Sequence, residues 1–430
     1  MKKMLSVRKL LGLGLALVTL TGLLSGCGRE EKNKNTFTFA TWAAGTELEE
    51  FQAIIDKVNE EANGEYKIEV LSIPSDYYVK ISTKIAAKNC PDFFWMTQEL
   101  ISKYAQMGAL ADITQQFESS QVLTPDMYYE GVLDSAMYND SCWGLPWIAN
   151  PLIVYYNKDM FDELGVAMPA PDDDWTWGEF LDICRKFSGQ QYNGNTVYGT
   201  VVDGWPNIET FIWAGGGDII AEDGQTILLG SEAAQNGMGY LHTIVKENLS
   251  PRYAEVASLG DNNVWFEKQR VAMYFGGMQD NFETKIAAMN EDEQFEIGYA
   301  PMPVCDDGGA WSFDWTASTV MAKSLEGNEL AYRALEDVTQ AFFTWKIAPP
   351  VKDSLENVVE INPRKEAAME TIAYTMEYAR SANYIPEWSD INDKLWYNLY
   401  VSLLNDADFD YKSKMNEIRQ YSEELVSKRQ

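Results

Sequence analysis

Two hydrophobic periods alternate along this 430-residue sequence, and that alternation constrains the fold more than any other feature. Residues 36–42 set Phe37 and Phe39 between threonines, the period of a strand with one buried face. Residues 47–61 then place Phe51, Ile54, Ile55 and Val58 at i, i+3, i+4 and i+7, a helix stopped at Gly64. Tyr66, Ile68 and Val70 alternate with Lys67 and Glu69 in a second strand. A helix over 77–88, a short buried strand over 91–96 and a helix through Ile101 and Tyr104 ending at Gly108 follow. The pattern restarts near Pro151. Leu152 to Tyr156 read as a strand, and 158–164 as a helix closed by Gly165. Pro169, Pro171 and three aspartates form a loop. Thr176 and Glu179 make a capping box for a helix whose core stripe is Phe180, Ile183, Cys184 and Phe187. Further helices are expected near 232–247, 329–344, 366–380, 391–404 and 412–426, with loops at 213–217 and 306–309. Alternating strands and helices predict an α/β fold, and the length predicts two domains.

The ends of the pattern point to a compartment. Residues 1–26 read as a leader, with basic Lys2, Lys3, Arg8 and Lys9 before an apolar stretch from Leu10 to Leu24. That stretch is shorter than the ~20 residues that span a bilayer as a helix. It ends in Leu24-Ser25-Gly26-Cys27, which resembles the lipobox of bacterial lipoproteins. The resemblance implies cleavage before Cys27, acylation of its thiol, a polar tether over 27–35, and a body held at the extracellular face of the cell membrane by its lipid anchor.

Charge excludes some partners. The formal net charge is −31, and the leader contributes only positive residues, so the body is more acidic still. Such a surface repels phosphate backbones, and no nucleic-acid partner is expected. No P-loop, GxSxG elbow or HExxH motif occurs, and the single histidine, His242, sits in a helical run as a structural residue. No cofactor, metal or catalytic residue is expected. Cys90, Cys142, Cys184 and Cys305 show no CxxC spacing; the sequence leaves their pairing open, with Cys184 read as a buried thiol. Fourteen tryptophans stand out, many beside Gly- or Asp-rich segments. An indole face stacks on the C–H face of a sugar, while Asp, Asn, Gln and Glu accept its hydroxyls.

Several segments, in order, carry a resemblance. They are Tyr78-Val-Lys80 with Ala86-Ala87 and Pro91-Asp-Phe-Phe-Trp95; Gly108-Ala-Leu-Ala-Asp112; Trp143-Gly-Leu-Pro146; Tyr155-Tyr-Asn-Lys-Asp-Met-Phe161; Trp175-Thr-Trp-Gly-Glu-Phe180; Trp265-Phe266; Val271-Ala-Met273; Gly276-Gly277; and Pro301-Met-Pro303. Together the sequence resembles the extracellular solute-binding proteins of ABC importers, specifically their sugar-binding group. The resemblance implies a two-lobed periplasmic-binding-protein-like fold of type II. Each lobe is a sheet flanked by helices, with 36–148 plus 302–345 in lobe 1 and 149–301 plus 346–430 in lobe 2. The chain should cross the hinge near 147–150, near 300–303 and after about Thr344. It implies a carbohydrate ligand in the cleft, ABC permease subunits as partners, a monomer and no catalysis. The matching positions make Trp42, Thr46, Glu47, Trp95, Gln98, Glu99, Asn150 and Gly277 ligand-binding candidates. Trp205 or Trp213, and Trp311 or Trp315, are candidate platforms, because Met278 and Gln279 stand where the family often has a stacking aromatic. The alternatives are a secreted carbohydrate-active enzyme and an ABC receptor for a non-sugar polar solute.

Overall fold

The structure, a computed structural model, describes residues 35–169, 175–345 and 350–429. The leader, Cys27, the tether to residue 34, and Pro171 with the aspartates 172–174 lie outside the described residues. The eight strands of the main sheet are β1 Thr36–Thr41, β2 Lys67–Ser72, β3 Phe93–Thr97, β4 Leu145–Asn157, β5 Met273–Gly277, β6 Ile297–Ala300, β7 Ser312–Met321 and β8 Ala379–Arg380. They run in the order β6-β4-β7-β3-β1-β2, with β5 beside β4 and β8 beside β7. β1 is parallel to β2 and β3, with helices α1 Gly45–Glu61 and α2 Tyr77–Ala86 as crossovers. β7 runs antiparallel to both β3 and β4.

Two strands belong to both halves of the molecule. Residues 145–151 of β4 pair with β7, while residues 152–157 pair with β5 and β6. Residues 317–321 of β7 pair with β3, while Ser312 and Phe313 pair with β8. The expected strand at 152–156 is therefore the second half of a longer one. Its register shifts at Ala317/Ser318, so that Trp147 is the extra residue of a bulge.

Side-chain alternation along β4 builds two cores. Leu152, Val154 and Tyr156 face one, Ile153 and Tyr155 the other. Burial of both faces explains why this stretch is continuously apolar. The first core joins Phe37, Phe39, Phe51, Phe93 and Trp95 to Phe342 of α9 Glu329–Phe342, and continues under β4 to Phe266, Phe282 and Tyr299. The second packs α5 Trp177–Phe187, α6 Ile208–Ala214 and α7 Glu232–Lys246 against the C-terminal helices α11 Trp388–Asp393 and α12 Tyr411–Ser427. The remaining labelled helices are α3 Gln98–Gln106, α4 Lys158–Leu164, α8 Phe282–Ala287 and α10 Met369–Met376.

Local chemistry sets the helix ends. Asn157 caps α4 by accepting from the Met160 N–H (2.9 Å), and Gly165 follows at φ 63°. The Thr176–Glu179 capping box is formed as expected. His242 is bonded to the Ala407 carbonyl (2.9 Å) and faces Tyr411, a structural position. Cys90, Cys142, Cys184 and Cys305 are free thiols, and all but the half-buried Cys90 are buried. Burial pushes the thiols of Cys90 and Cys142 up to about 12 and that of Cys305 to about 11.

Candidate functional site

The sequence candidates collect in three places around the shared strands. In the first half, Trp42 follows β1 and lies half-buried against Tyr77 and Trp95, with ring centroids at 5.4 and 4.7 Å. Thr46 is exposed in the first turn of α1, with Glu47 half-buried after it. Trp95, on β3, is wholly buried. It stacks on Trp147 of the bulge (4.6 Å, 19° between planes) and on Trp345 (5.9 Å, 29°), and its edge meets Phe39, Phe51 and Phe342. In this conformation Trp95 is a core side chain beneath Trp42.

At the junction of the halves, Asn150 on β4 stands opposite Trp315 on β7. The Asn150 Oδ1 accepts from the Gln279 backbone N–H (3.0 Å). Gly277, at the end of β5, packs against the same amide: a Cβ there would sit 2.4 Å from Asn150 Nδ2. Trp205 donates its indole N–H to the Phe275 carbonyl (2.8 Å). Trp205 and Trp315 are both half-buried, and each touches both cores.

A polar network joins α3 to the other half. The buried Gln98 accepts at Oε1 from the Thr316 hydroxyl (2.9 Å) and the Ser381 hydroxyl (3.1 Å). Glu99 accepts from the Thr97 hydroxyl (2.6 Å), and burial raises its carboxyl above the usual range. Trp213, read from sequence as part of a loop, instead lies in α6 and is buried, donating to Asp218 Oδ1 (3.2 Å). The Arg380 guanidinium lies between two indoles, 4.0 Å from the centroid of Trp213 and 4.5 Å from that of the exposed Trp311. Such a sandwich holds a cation by the ring quadrupoles and leaves only its edge for hydrogen bonding.

The site thus offers indole faces, amides and carboxyls from both halves, around strands that pass between them. The model of the bacterial extracellular solute-binding protein family matches residues 43–345. The chain belongs to this family. Among curated relatives, this solute-binding protein is 23% identical over 326 residues to a binding protein of Brucella abortus, covering 73% of this chain and 75% of the relative. It is 22% identical over 331 residues to the diacetylchitobiose binding protein DasA of Streptomyces coelicolor, covering 73% and 72%. Among solved structures it superposes on the sugar-binding protein MalE of Xanthomonas citri with a TM-score of 0.74 at 18% identity, over 91% of this chain and 98% of that one. It also superposes on Lmo0181 of Listeria monocytogenes, an ABC substrate-binding protein in complex with cycloalternan, with a TM-score of 0.73 at 20% identity, over 91% and 99%. These likenesses bear out the two-lobed fold expected from sequence. The family and these neighbours are binding proteins. Among the described residues no helix is long and apolar enough to cross a membrane.

Sequence reasoning missed several groups that this solute-binding protein brings to the junction. Glu209 is the one charged side chain in α6, where every residue is buried, and that contrast was a usable signal. Tyr384 bridges Glu209 and Gln98. Arg380 was hidden in an expected helix over 366–380; the helix ends at Met376, and Ala379–Arg380 pairs with β7 instead.

Burial, reinforced by the nearby charges of Asp218 and Glu99, raises the Glu209 carboxyl from 4.5 to about 7. Between those values the folded state keeps a proton that the unfolded chain has released, so stability falls as pH rises through that window. Glu209→Gln keeps an acceptor for Asn207 Nδ2 (2.6 Å in the native pair) and removes the titration. Its expected gain is near zero below pH 4.5 and as much as about 3 kcal/mol above pH 7. Urea unfolding at pH 4.5 and pH 8 checks this; an equal gain at both pH values refutes it.

Proposed function

We propose that this protein is a lipid-anchored receptor that captures a sugar, an oligosaccharide in particular, between its two lobes and delivers it to ABC permease subunits. The lobes are residues 36–148 plus 302–345 and residues 149–301 plus 346–430. The observation that carries the reading is the pair of half-buried indoles, Trp205 and Trp315, which touch both cores, Trp315 directly opposite Asn150. Indole faces suit the apolar face of a pyranose. The amides of Gln98 and Asn150 and the carboxyls of Glu99 and Glu209 suit its hydroxyls. Relatives whose names specify diacetylchitobiose or mannitol, and neighbours solved with sugars, support the same ligand class. Closure dehydrates the ligand and forms the surface the permease reads. The protein acts as a monomer, without catalysis, and is held outside the cell membrane by the acylated Cys27.

Isothermal calorimetry with neutral oligosaccharides, polyols and short peptides tests the ligand class. Binding confined to peptides, or no binding by any sugar, overturns it. Trp315→Ala and Trp205→Ala each remove a central anchor, and a loss near 2 kcal/mol corresponds to about 30-fold in Kd. Unchanged Kd values in both variants would remove these indoles from the site. Mass spectrometry of the mature N-terminus tests the anchor, and an unmodified Cys27 rejects it.

A further inference from the structure

A buried polar cluster ties the segment beyond the third crossing to the turn that follows β5. Lys365 lies in the 3-10 turn Pro363–Ala368 and is wholly buried. An ammonium has three N–H donors. Those of Lys365 meet Tyr155 OH (2.8 Å), the Asp280 carbonyl (2.6 Å) and Glu283 Oε1 (2.9 Å). Tyr155 in turn donates to the Gly277 carbonyl (2.9 Å), and the Asp280 carboxylate accepts from the Gly277 N–H (2.9 Å). Tyr299 donates to the same Glu283 oxygen (3.0 Å). Three residues before Lys365, Asn362 Nδ2 donates to Asn281 Oδ1 (3.1 Å). The turn gripped in this way is the one whose Gln279 N–H is bonded to Asn150 on the shared strand β4. A continuous run of hydrogen bonds therefore leads from this segment to the turn, and from the turn to the hinge strand.

This cluster is a poor way to gain stability. Burial disfavours the Lys365 charge, and the pull of Glu283 and Asp280 only partly offsets it. A packed apolar pair of the same volume often does as well or better. Three directed N–H bonds do something an apolar pair cannot: they fix the turn in one place relative to the segment that grips it.

We infer that Lys365 and Asn362 are positioning residues of the hinge, locking the 277–281 turn, and through it Asn150, to the segment beyond the third crossing. Turn and segment then move as one body when the lobes rotate. The inference rests on the two-lobed motion proposed above and not on the identity of the ligand.

Hydrogen exchange followed by mass spectrometry on the unliganded protein tests it without any ligand. In Lys365→Met/Glu283→Gln, which removes the ammonium together with its ion-pair partner, amides of residues 277–283 should exchange at least tenfold faster, with α1 and α7 unchanged. Asn362→Ala should speed the same segment about threefold. Unchanged exchange there in either folded variant overturns the inference, and so does equal acceleration throughout the molecule, which would mark the cluster as a general stabiliser. If the double variant fails to fold, Asn362→Ala alone decides.

Discussion

Gly237→Val is expected to destabilise the protein by on the order of 4 kcal/mol, at the upper end of what single substitutions do. The reason lies in how closely α6 and α7 cross. A Cβ on Gly237 would sit 2.2 Å from the Phe211 carbonyl oxygen and 2.6 Å from that of Ile212. Gly215 and Gly217 make the reciprocal approach, with added Cβ atoms 2.3 Å from the Ala233 oxygen and the Ala234 nitrogen. These neighbours are backbone, so no side chain can swing aside; the helices must separate and open the second core. Because α6 carries Glu209 and Trp213, molecules that still fold should bind ligand more weakly. Gly239→Ala, two residues along the same helix, is the control. Its Cβ meets only the Tyr411 hydroxyl, at 3.4 Å, so the usual helical preference for alanine should leave stability unchanged or slightly raised. Urea midpoints for the two variants read the contrast, and similar values for both would refute the close-crossing account.

Trp95→Ala is expected to cost about 3–5 kcal/mol of stability, the range for removing a fully buried aromatic side chain. Trp95 stands at the centre of six rings from β1, α1, the bulge of β4 and the end of α9. Trp42→Ala should cost much less, because Trp42 is half-buried and meets the cluster from one side. Chemical denaturation of both variants separates a core side chain from a surface platform. A Trp95→Ala protein of native stability with lost sugar affinity would return Trp95 to the ligand site.

The β and α alternation of residues 36–88 was legible because each element there has one more deeply buried face, so its period stands out. Legibility fell where a segment serves two environments. Pro146 and Pro151 both precede the strand expected at 152–156. In the structure both lie within β4, Pro146 next to the bulge and Pro151 opposite Asp314. Residues 366–380 carry enough apolar spacing for one helix, yet pairing with β7 claims Ala379 and Arg380. Gly215-Gly216-Gly217 reads as a turn, and its stronger reason, the approach of α7, is a tertiary fact that no local pattern records. The same holds for the site. Candidates that follow a strand were visible, whereas Arg380, Asp218 and Tyr384 gain their roles only from what the opposite half brings to them.

The four unpaired thiols bear on how such a protein is made. With pKa values near 11 to 12 at Cys90, Cys142 and Cys305, the reactive thiolate is only about one part in ten thousand or fewer at neutral pH. Once folded, the described cysteines offer oxidants almost no thiolate, and the described residues hold no disulfide to lose to reductants. Folding of the described residues then requires no disulfide oxidase or disulfide isomerase, and should reach the same native state in an anaerobic habitat, in aerated medium or in the cytoplasm of a production host.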